Sequence, residues 1–596
     1  MKIVNNIKSF IDIIQKVNYI LSHKQKKRSV FVFINMIIAS ILDTLGVAAI
    51  LPFISALTDI DIVKRQWYTK IFIKLFNIKS DRMLIILIGI GIILIYVIKN
   101  IYLYLYQCSL IKFQCDIQND TSVLMLKSYL SHPYSFFRKT NSSVILRGID
   151  VDAQALYYII NNLFLLMSQI LTIVLVGLFL IRQDVVMALG VLLASMVCIL
   201  LISGFLRSKV SIAGKDFSQS SADKVKCSYQ IVNGIKEIFV MQRQELFMSK
   251  YEKAYSKYCD SQNTRDRVQA VPVRLIETVF ITFIIGIVCI KMALGMDPNN
   301  YVPQLATFAV AGFRLIPMVT NVPNCLNVLV FYVPTLNETY ENIKTARAYS
   351  KDCNIHMNDI IKDTCDNTKL DDSIRICNMC YKYEDSNEYV LKDISLNIKK
   401  GDSIGIVGES GAGKSTFADI IMGLQKPSKG KILIDGVDIS VVPNRYSRMI
   451  GYIPQSIFLL DDTIKNNVLF GEESRGNDDK VWEALDKAHI KAFVESLPER
   501  INTVVGEKGV RLSGGQRQRI AIARVMYNDP SIIVMDEATS ALDNETEKAI
   551  MESVDSMQGS KTLIIVAHRF TTIKNCNKIY EIKNGELIDR QYSELQ

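Results

Sequence analysis

The fold of the C-terminal third of this chain is decided by Gly408-Glu409-Ser410-Gly411-Ala412-Gly413-Lys414-Ser415. The stretch fits G-x-x-x-x-G-K-[ST] and stands between an apolar run, residues 404–407, and a helix-like run, residues 417–422. In a strand–loop–helix turn, glycines let backbone amides wrap a phosphate, and the helix N-terminus faces its negative charge. The lysine is then expected to reach the β- and γ-phosphates of a nucleotide, with the serine hydroxyl on Mg²⁺.

A second apolar run, residues 531–535, ends in two carboxylates, Asp536 and Glu537. A strand that closes on a carboxylate can deliver it to a metal, so Asp536 suits a Mg²⁺ shell. Glu537 is then placed to polarise a water for attack on the γ-phosphate. Adjacent acids repel each other unless a cation lies nearby. From residue 374 onward, short β-rich runs alternate with helical ones, which predicts an α/β domain over residues 373–596.

The N-terminal half has long runs that are almost free of charge. Residues 155–181 and 185–206 carry none, whereas 29–58 and 83–111 carry one each, Asp43 and Lys99. Uncharged apolar runs of this length predict transmembrane helices. Six spans are predicted, near residues 30–57, 83–108, 155–181, 185–206, 273–295 and 303–335. The chain averages of 49% hydrophobic and 21% charged residues hide this division, although they exclude disorder and collagen.

The net charge of +10 is better explained by lysines and arginines beside membrane spans than by a nucleic-acid partner. Residues 1–28 hold seven Lys/Arg and one acid, Asp12, and are too polar for a secretory signal. Their apolar spacing predicts an amphipathic helix on the inner membrane face. Residues 66–78, after the first span, predict an external interfacial helix, or alternatively a solvated helix packed on the spans. Residues 336–372 are polar and predict a linker.

Several short motifs give the C-terminal domain a family resemblance. Leu512-Ser513-Gly514-Gly515-Gln516 matches the signature of ATP-binding cassette proteins. Gln455 resembles that family's Q-loop glutamine, Ser540–Asp543 its D-loop, and His568 its switch histidine. Tyr383 stands where the family places an aromatic ring under adenine. The signature residues also open a helix, which offers free amides to a γ-phosphate.

The resemblance implies a hydrolytic site with ATP and Mg²⁺, shared head to tail between two chains of a homodimer. The implied catalytic residues are Glu537, His568 and Gln455, and the implied metal ligands are Ser415, Gln455 and Asp536. The implied ATP-binding residues are Tyr383, Gly408, Glu409, Ser410, Gly411, Ala412, Gly413, Lys414, Ser415, Thr416, Ser513, Gly514, Gly515, Gln516 and Asp543.

The whole chain resembles the half-size exporters of this family. The expected fold is an α-helical six-span transmembrane domain, residues 29–335, followed by an α/β P-loop ATP-binding cassette domain. The long loops 112–154 and 207–270 should carry coupling helices near 132–140 and 232–240 that dock on the cassette. We expect a bacterial cytoplasmic (inner) membrane protein with both termini and the cassette inside.

Charges within spans are informative about a cargo. They are costly in a bilayer, at about 2.5–3.5 kcal/mol each at a helix centre, so they face a cavity or a partner. Two alternatives are open. Arg274 can pair with Glu277, and Lys99 with Asp43. Otherwise Lys99, Arg274 and Arg314 line a basic cavity for an anionic amphipathic substrate.

A narrower resemblance favours the second alternative. Residues 270–277 and 313–317, the basic Lys99 and the external helix are similar to features of bacterial lipid-linked oligosaccharide flippases. The expected function is therefore ATP-driven export or flipping of a polyprenyl-diphosphate-linked oligosaccharide. A multidrug, lipid or peptide exporter is the alternative, with processing of a peptide disfavoured because only 28 residues precede the first span. A regulator without cargo is disfavoured by the intact Glu537.

Replacing Glu537 with Gln should lower ATP hydrolysis at least about a hundredfold, because an amide cannot act as a general base. ATP-dependent pairing of two nucleotide domains should persist, since the shape of the site is kept. Steady-state ATPase rates and cross-linking of the full chain with ATP measure the two effects. Near-normal turnover in this variant would remove Glu537 from the role of base.

Overall fold

The computed structural model describes residues 2–50, 52–53, 56, 64, 66, 69–70, 80–182, 185–293, 302–352, 369–472, 477–536, 544–567 and 569–594. The chain divides into two compact units. The first comprises Met1–His132 and Phe137–Asn354, and the second comprises Pro133–Phe136 and Ile355–Gln596. The first coupling segment therefore contributes Pro133–Phe136 to the unit that holds the nucleotide motifs.

The first unit is helical. Its helices are α1 (Lys2–Ile20), α2 (His23–Ala48), α3 (Asp81–Leu130), α4 (Tyr134–Lys139), α5 (Ser142–Arg147), α6 (Ala153–Ile181), α7 (Val185–Asn233), α8 (Ile235–Val240), α9 (Gln244–Ala293) and α10 (Val302–Asp352). One π-helical turn, Gly148–Asp152, joins α5 to α6. Within the described residues, six helical stretches are long and apolar enough to cross a membrane, which confirms the six predicted spans.

The spanning helices extend well beyond their apolar runs. At about 1.5 Å per residue, the 50 residues of α3 measure about 75 Å, more than twice a hydrocarbon core of about 30 Å. The polar loops 112–154 and 207–270 are therefore mostly helical extensions. The short helices α4 and α8 lie where coupling helices are predicted, whereas the predicted external helix 66–78 lies largely outside the described residues.

The structure differs from the prediction at both ends of this unit. Residues 1–28 do not form one helix, because Ser22 caps a new helix, α2, that already contains the basic residues from His23 onward. The apolar side of α1 is also not reserved for the membrane: Ile13, Val17 and Ile20 are buried in protein. In the segment predicted as a linker, residues 336–352 continue α10.

A hydrogen bond and two contacts of aromatic rings hold α1 against α10. The ammonium of Lys16 donates to Asn337 Oδ1 at 2.8 Å. The rings of Tyr19 and Tyr340 meet edge to face, with centroids 5.0 Å apart. The guanidinium of Arg347 lies 4.7 Å from the Tyr19 ring centroid. Buried apolar side chains and these contacts give α1 a protein partner, which amphipathic spacing alone cannot distinguish from a lipid surface.

A polar seam joins α2 and α3 inside the apolar region. Lys99 is 1% exposed, and its ammonium lies 2.9 Å from Asp43 Oδ1 and 4.7 Å from the centroid of the Tyr96 ring. The Tyr96 hydroxyl donates to the carbonyl of Gly46 at 3.0 Å. A Cβ atom on Gly46 would stand 2.9 Å from the Lys99 ammonium, so the glycine makes room for the pair. Two charges that would be costly alone thus neutralise each other between helices.

The second unit is an α/β domain. Its strands are β1 (Ser373–Tyr381), β2 (Leu391–Lys399), β3 (Ser403–Val407), β4 (Lys429–Ile434), β5 (Val437–Asp438), β6 (Ile450–Ile453), β7 (Ile532–Asp536), β8 (Thr562–Val566), β9 (Lys578–Lys583) and β10 (Glu586–Arg590). Its helices are α11 (Lys414–Ile421), α12 (Pro443–Met449), α13 (Ile464–Leu469), α14 (Asp478–Lys487), α15 (Lys491–Ser496), α16 (Gly514–Asn528) and α17 (Asn544–Asp555).

Two sheets build this domain. One is antiparallel, with strand order β2-β1-β4-β5, and the other has the order β10-β9-β3-β8-β7-β6. In the second sheet β9, β3, β8, β7 and β6 run parallel, which brings their carboxyl ends to one edge. Both faces of β3 and β8 are buried, as continuous apolar runs in a parallel sheet require.

Replacing Lys99 with Met should destabilise the helical unit, because Asp43 would keep a charge without its cation in a nearly water-free place. Removing one partner of a buried pair costs about 3–5 kcal/mol, whereas replacing both is often neutral. We therefore expect a lower Tm for Lys99→Met and substantial recovery in Lys99→Met/Asp43→Asn. Thermal unfolding of the detergent-purified chain measures this, with the exposed Lys112→Met as control. A double variant less stable than the single one contradicts the pairing.

Candidate nucleotide-binding site

The phosphate-binding loop takes a backbone conformation that only glycine supports. It follows the buried strand β3 and precedes α11. Gly411 and Gly413 have φ values of +85° and +105°, in the left-handed region. A Cβ atom on Gly408 would stand 2.5 Å from the carbonyl oxygen of Ile582. The predicted loop is therefore formed, and its backbone is left open to a ligand.

Two side chains complete the loop. Lys414 is buried, and its ammonium donates to the carbonyls of Gly408 and Glu409 at 2.8 and 3.0 Å. These bonds hold the cation inside the curve of the loop. The hydroxyls of Tyr383 and Thr416 lie 2.6 Å apart. The tyrosine predicted to stack on adenine thus contacts the first turn of α11, next to the loop.

The parallel sheet aligns the remaining motifs. Ile406 pairs with Val566, and Val566 pairs with Asp536, so the loop and Asp536 lie at the same edge of the sheet. Ile453 of β6 pairs with Met535 of β7, and the exposed Gln455 follows β6 at that edge. Carboxyl ends of parallel strands are the usual ligand-binding side of such sheets.

The electrostatics near this edge favour a cation. Burial raises the pKa of Tyr452, on β6, to about 12, and the negative charges of Asp536 and Asp419 together with Tyr134 add to the effect. Two carboxylates close enough to act on one phenol make the surroundings electronegative. Such a place suits Mg²⁺, which prefers oxygen ligands.

The signature motif forms the N-terminus of α16. Ser513 is the N-cap: its hydroxyl accepts from the amide of Gln516 at 3.3 Å, and the Gln516 side chain accepts from the amide of Ser513 at 2.8 Å. This capping box satisfies two amides reciprocally. Ser513 and Gly514 are exposed, so the first turn presents the positive end of a 15-residue helix at the surface.

These residues fit a nucleotide with Mg²⁺. The glycine loop would hold the phosphates, and Ser415, Gln455 and Asp536 would hold the ion, which supplies charge neutralisation at the phosphates when bound. Lys414 orients the loop through its two carbonyl bonds. Three predicted residues, Glu537, Asp543 and His568, lie outside the described residues, so their roles stay predictions.

The structure adds Glu547, which the motif analysis missed. Glu547 is nearly buried on α17, and its carboxylate accepts from Arg569 at 2.7 Å and from Thr571 at 3.1 Å. It thereby connects the helix that follows the D-loop with the residues that follow His568. The sequence signal is weak, because Glu547 is one of two acids in Asn544-Glu545-Thr546-Glu547.

Arg524 is a second residue found only in the structure. Its guanidinium donates to the carbonyls of Asn467 and Phe458 at 2.9 and 3.1 Å, and lies 4.1 Å from the Phe470 ring centroid. Burial lowers its pKa to about 10. Arg524 belongs to α16, so it ties the signature helix to the segment that follows Gln455.

Of the three residues predicted to meet the cargo, the structure describes the side chains of Lys99 and Arg274. Lys99 is buried and paired with Asp43, which is the first of the two alternatives that the sequence left open. The guanidinium of Arg274 is 85% exposed and 3.8 Å from Glu277 Oε2, beyond hydrogen-bond distance. The side chain of Arg314 lies outside the described residues. A sequence shows which charges lie in spans, but not which helix faces meet.

Comparisons with known proteins agree with this architecture. A model of the ABC transporter family matches residues 391–540, and a model of the ABC transporter transmembrane region matches residues 33–310. A solved structure of a bacterial Atm1-family ABC exporter with ATP bound has a TM-score of 0.74, at 20% identity, over 96% of each chain. At that identity the likeness shows the fold.

Curated relatives match over different lengths. The heterocyst differentiation ATP-binding protein HepA of Nostoc sp. is 29% identical over 77% of this chain and 74% of its own length. An ATP-dependent lipid A-core flippase of Pseudoalteromonas translucida and a putative multidrug export ATP-binding/permease protein of Staphylococcus aureus are each 42% identical. Those alignments cover 37% and 36% of this chain, and the chain spans only 38% and 37% of those two proteins.

Six membrane helices, a phosphate loop and a capped signature helix in one chain define an ABC transporter. More particularly, the chain has the fold of an exporter-type half-transporter over nearly its whole length, and its nucleotide domain is an ABC transporter ATPase domain. The predicted fold class and ATPase activity are thereby confirmed.

Replacing Glu547 with Ala should lower kcat for ATP hydrolysis by about tenfold, because charge-assisted hydrogen bonds contribute about 1.5–3 kcal/mol. KM for ATP should change little, since the hydrogen bonds of Glu547 described above go to Arg569 and Thr571, not to residues of the phosphate loop. The exposed Glu552→Ala on the same helix is the control. Equal kcat values for the two variants would show that Glu547 has no influence on turnover.

Proposed function

We propose that the chain acts as a homodimer in a bacterial cytoplasmic membrane and uses ATP to flip or export an anionic amphipathic substrate. A polyprenyl-diphosphate-linked oligosaccharide is the substrate we favour. The nucleotide domain and both termini face the cytoplasm, where ATP is available.

The dimer follows from the half-sites in one chain. Each chain carries one phosphate loop and one exposed signature helix N-terminus at Ser513 and Gly514. A γ-phosphate held by the loop of one chain would be met by the free amides and dipole of the other chain's α16. Two identical chains complete two sites, and closed two-fold dimers are the commonest assembly.

The observation that carries the substrate class is the exposure of Arg274. It belongs to α9 at the cytoplasmic side of the apolar run, where an exposed charge needs water, a partner or an anionic group. A guanidinium can hold a phosphate with two parallel hydrogen bonds. Arg314 is proposed as a second ligand, whereas Lys99 is withdrawn because it already neutralises Asp43.

A lipid or multidrug exporter is the second candidate. The similarity to a lipid A-core flippase and to a putative multidrug exporter supports it, and the pairing of Lys99 with Asp43 removes one cation that an anionic cargo could use. Both candidates use the same ATPase. They differ in whether Arg274 discriminates among cargoes.

The test is ATPase stimulation of the full chain in liposomes of neutral phospholipid. The panel is a polyprenyl-diphosphate-linked glycan, a lipid A core and an uncharged hydrophobic drug. We expect the linked glycan to stimulate the wild type, and Arg274→Gln to lose that stimulation by about tenfold, as expected for a lost charge-assisted contact. The control is Arg182→Gln, an exposed arginine at the end of α6. Stimulation by the drug alone, or an unchanged response in Arg274→Gln, rejects the anionic substrate.

A further inference from the structure

Arg147 is a buried cation outside the nucleotide site and outside the apolar part of the spans. Its side chain is 8% exposed, at the last residue of α5. An arginine is rarely buried unless its charge is paired. The groups around Arg147 therefore indicate what the residue holds together.

Three elements meet at this guanidinium. Nη1 donates to the carbonyl and the hydroxyl of Ser218 on α7 at 3.0 and 3.3 Å. Nη2 donates to the carboxylate of Glu338 on α10. Nε lies 3.5 Å from Oδ1 of Asp152, which is 3% exposed at the end of the π-helical turn. The Ser218 hydroxyl also donates to Glu338 at 2.9 Å, which closes the ring of contacts.

A fourth helix packs on the same point. A Cβ atom on Gly148, the next residue, would stand 2.2 Å from the hydroxyl oxygen of Tyr129 on α3. Only glycine leaves room for this contact. The Ser128 hydroxyl of α3 lies 3.4 Å from the carbonyl of Asn342, one turn beyond Glu338 on α10. The π-helical turn is thus enclosed by α3, α7 and α10.

The cluster around Arg147 lies a short way along the chain from a segment that belongs to the nucleotide-domain unit. Helix α5 directly follows α4, and Pro133–Phe136 at the start of α4 belong to the compact unit of the nucleotide domain. Any displacement of α4 has to pass through α5, whose last residue is Arg147. If the contacts of Arg147 are rigid, α7 and α10 move together with α5. If they are not, α5 moves without α7 and α10.

We propose that Arg147 is a positioning residue that makes α5, α7 and α10 respond as one body to the nucleotide state. This inference rests on the proposed ATP-driven function. It assigns to Arg147 no contact with ATP or cargo. The contacts of Arg147 would hold these helices together, because each residue in the ring belongs to a different element.

The test uses the full chain in nanodiscs, and compares Arg147→Met, Arg147→Lys and Glu338→Gln with Arg182→Met. ATPase kinetics give kcat and KM. Hydrogen exchange with and without ATP and vanadate follows residues 142–152, 210–222 and 334–345. In the wild type, we expect protection to change in all three segments together. Arg147→Met should confine the change to residues 142–152 and lower kcat about fivefold, with KM nearly constant.

Two variants keep the test decisive if Arg147→Met folds poorly. Arg147→Lys keeps the charge but not the fork, so its response should be intermediate. Glu338 is half-exposed, and Glu338→Gln should fold while losing the response at residues 334–345. Wild-type exchange in Glu338→Gln and Arg147→Lys overturns the inference. A wild type that hydrolyses no ATP would instead reject the proposed function, so the two failures are distinguishable.

Discussion

The absence of water inside a bilayer is the constraint on which this structure depends. Backbone groups there have to find partners within the chain, and helices satisfy them internally. Side-chain charges have to be cancelled locally, and Lys99 and Asp43 do so across α2 and α3 at 2.9 Å. Outside the apolar region, ion pairs and hydrogen bonds also join helices. Arg28 of α2 pairs with Asp116 of α3, and Arg147 joins three elements.

In the nucleotide domain the governing constraint is alignment of strand ends. Parallel β3, β8 and β7 share a register that brings Ile406, Val566 and Asp536 level. Residues far apart in the chain therefore reach one edge without long loops. Connections such as Arg524 to Phe458 and Arg569 to Glu547 then fix the segments beyond that edge. The ATPase site depends on both the strand register and these hydrogen bonds. The sheet brings the groups together, and the hydrogen bonds keep the neighbouring segments in place.

The sequence predicted what depends on local pattern. The phosphate loop, the six spans and the capped signature helix are each encoded within a few tens of residues, and all are formed. The sequence left two alternatives open for Lys99, because its partner Asp43 lies 56 positions earlier and the register between two helices is not visible in a spacing. The burial of Ile13, Val17 and Ile20 on α1 could not be predicted for a similar reason: an apolar stripe has the same spacing whether it packs on lipid or on α10. Glu547 was missed because nothing local separates it from the acids beside it.

The long helices differ in one further respect, the placement of proline. Helix α3 runs for 50 residues without one, whereas α10 contains Pro317, Pro323 and Pro334. Each proline removes a hydrogen bond and lowers the resistance to bending at that turn. All three prolines precede Glu338, so the contact with Arg147 fixes α10 on the C-terminal side of the turns that bend most easily. Helix α3 is therefore expected to resist bending along its length. Helix α10 is expected to bend at its prolines, while its C-terminal part is fixed at Glu338.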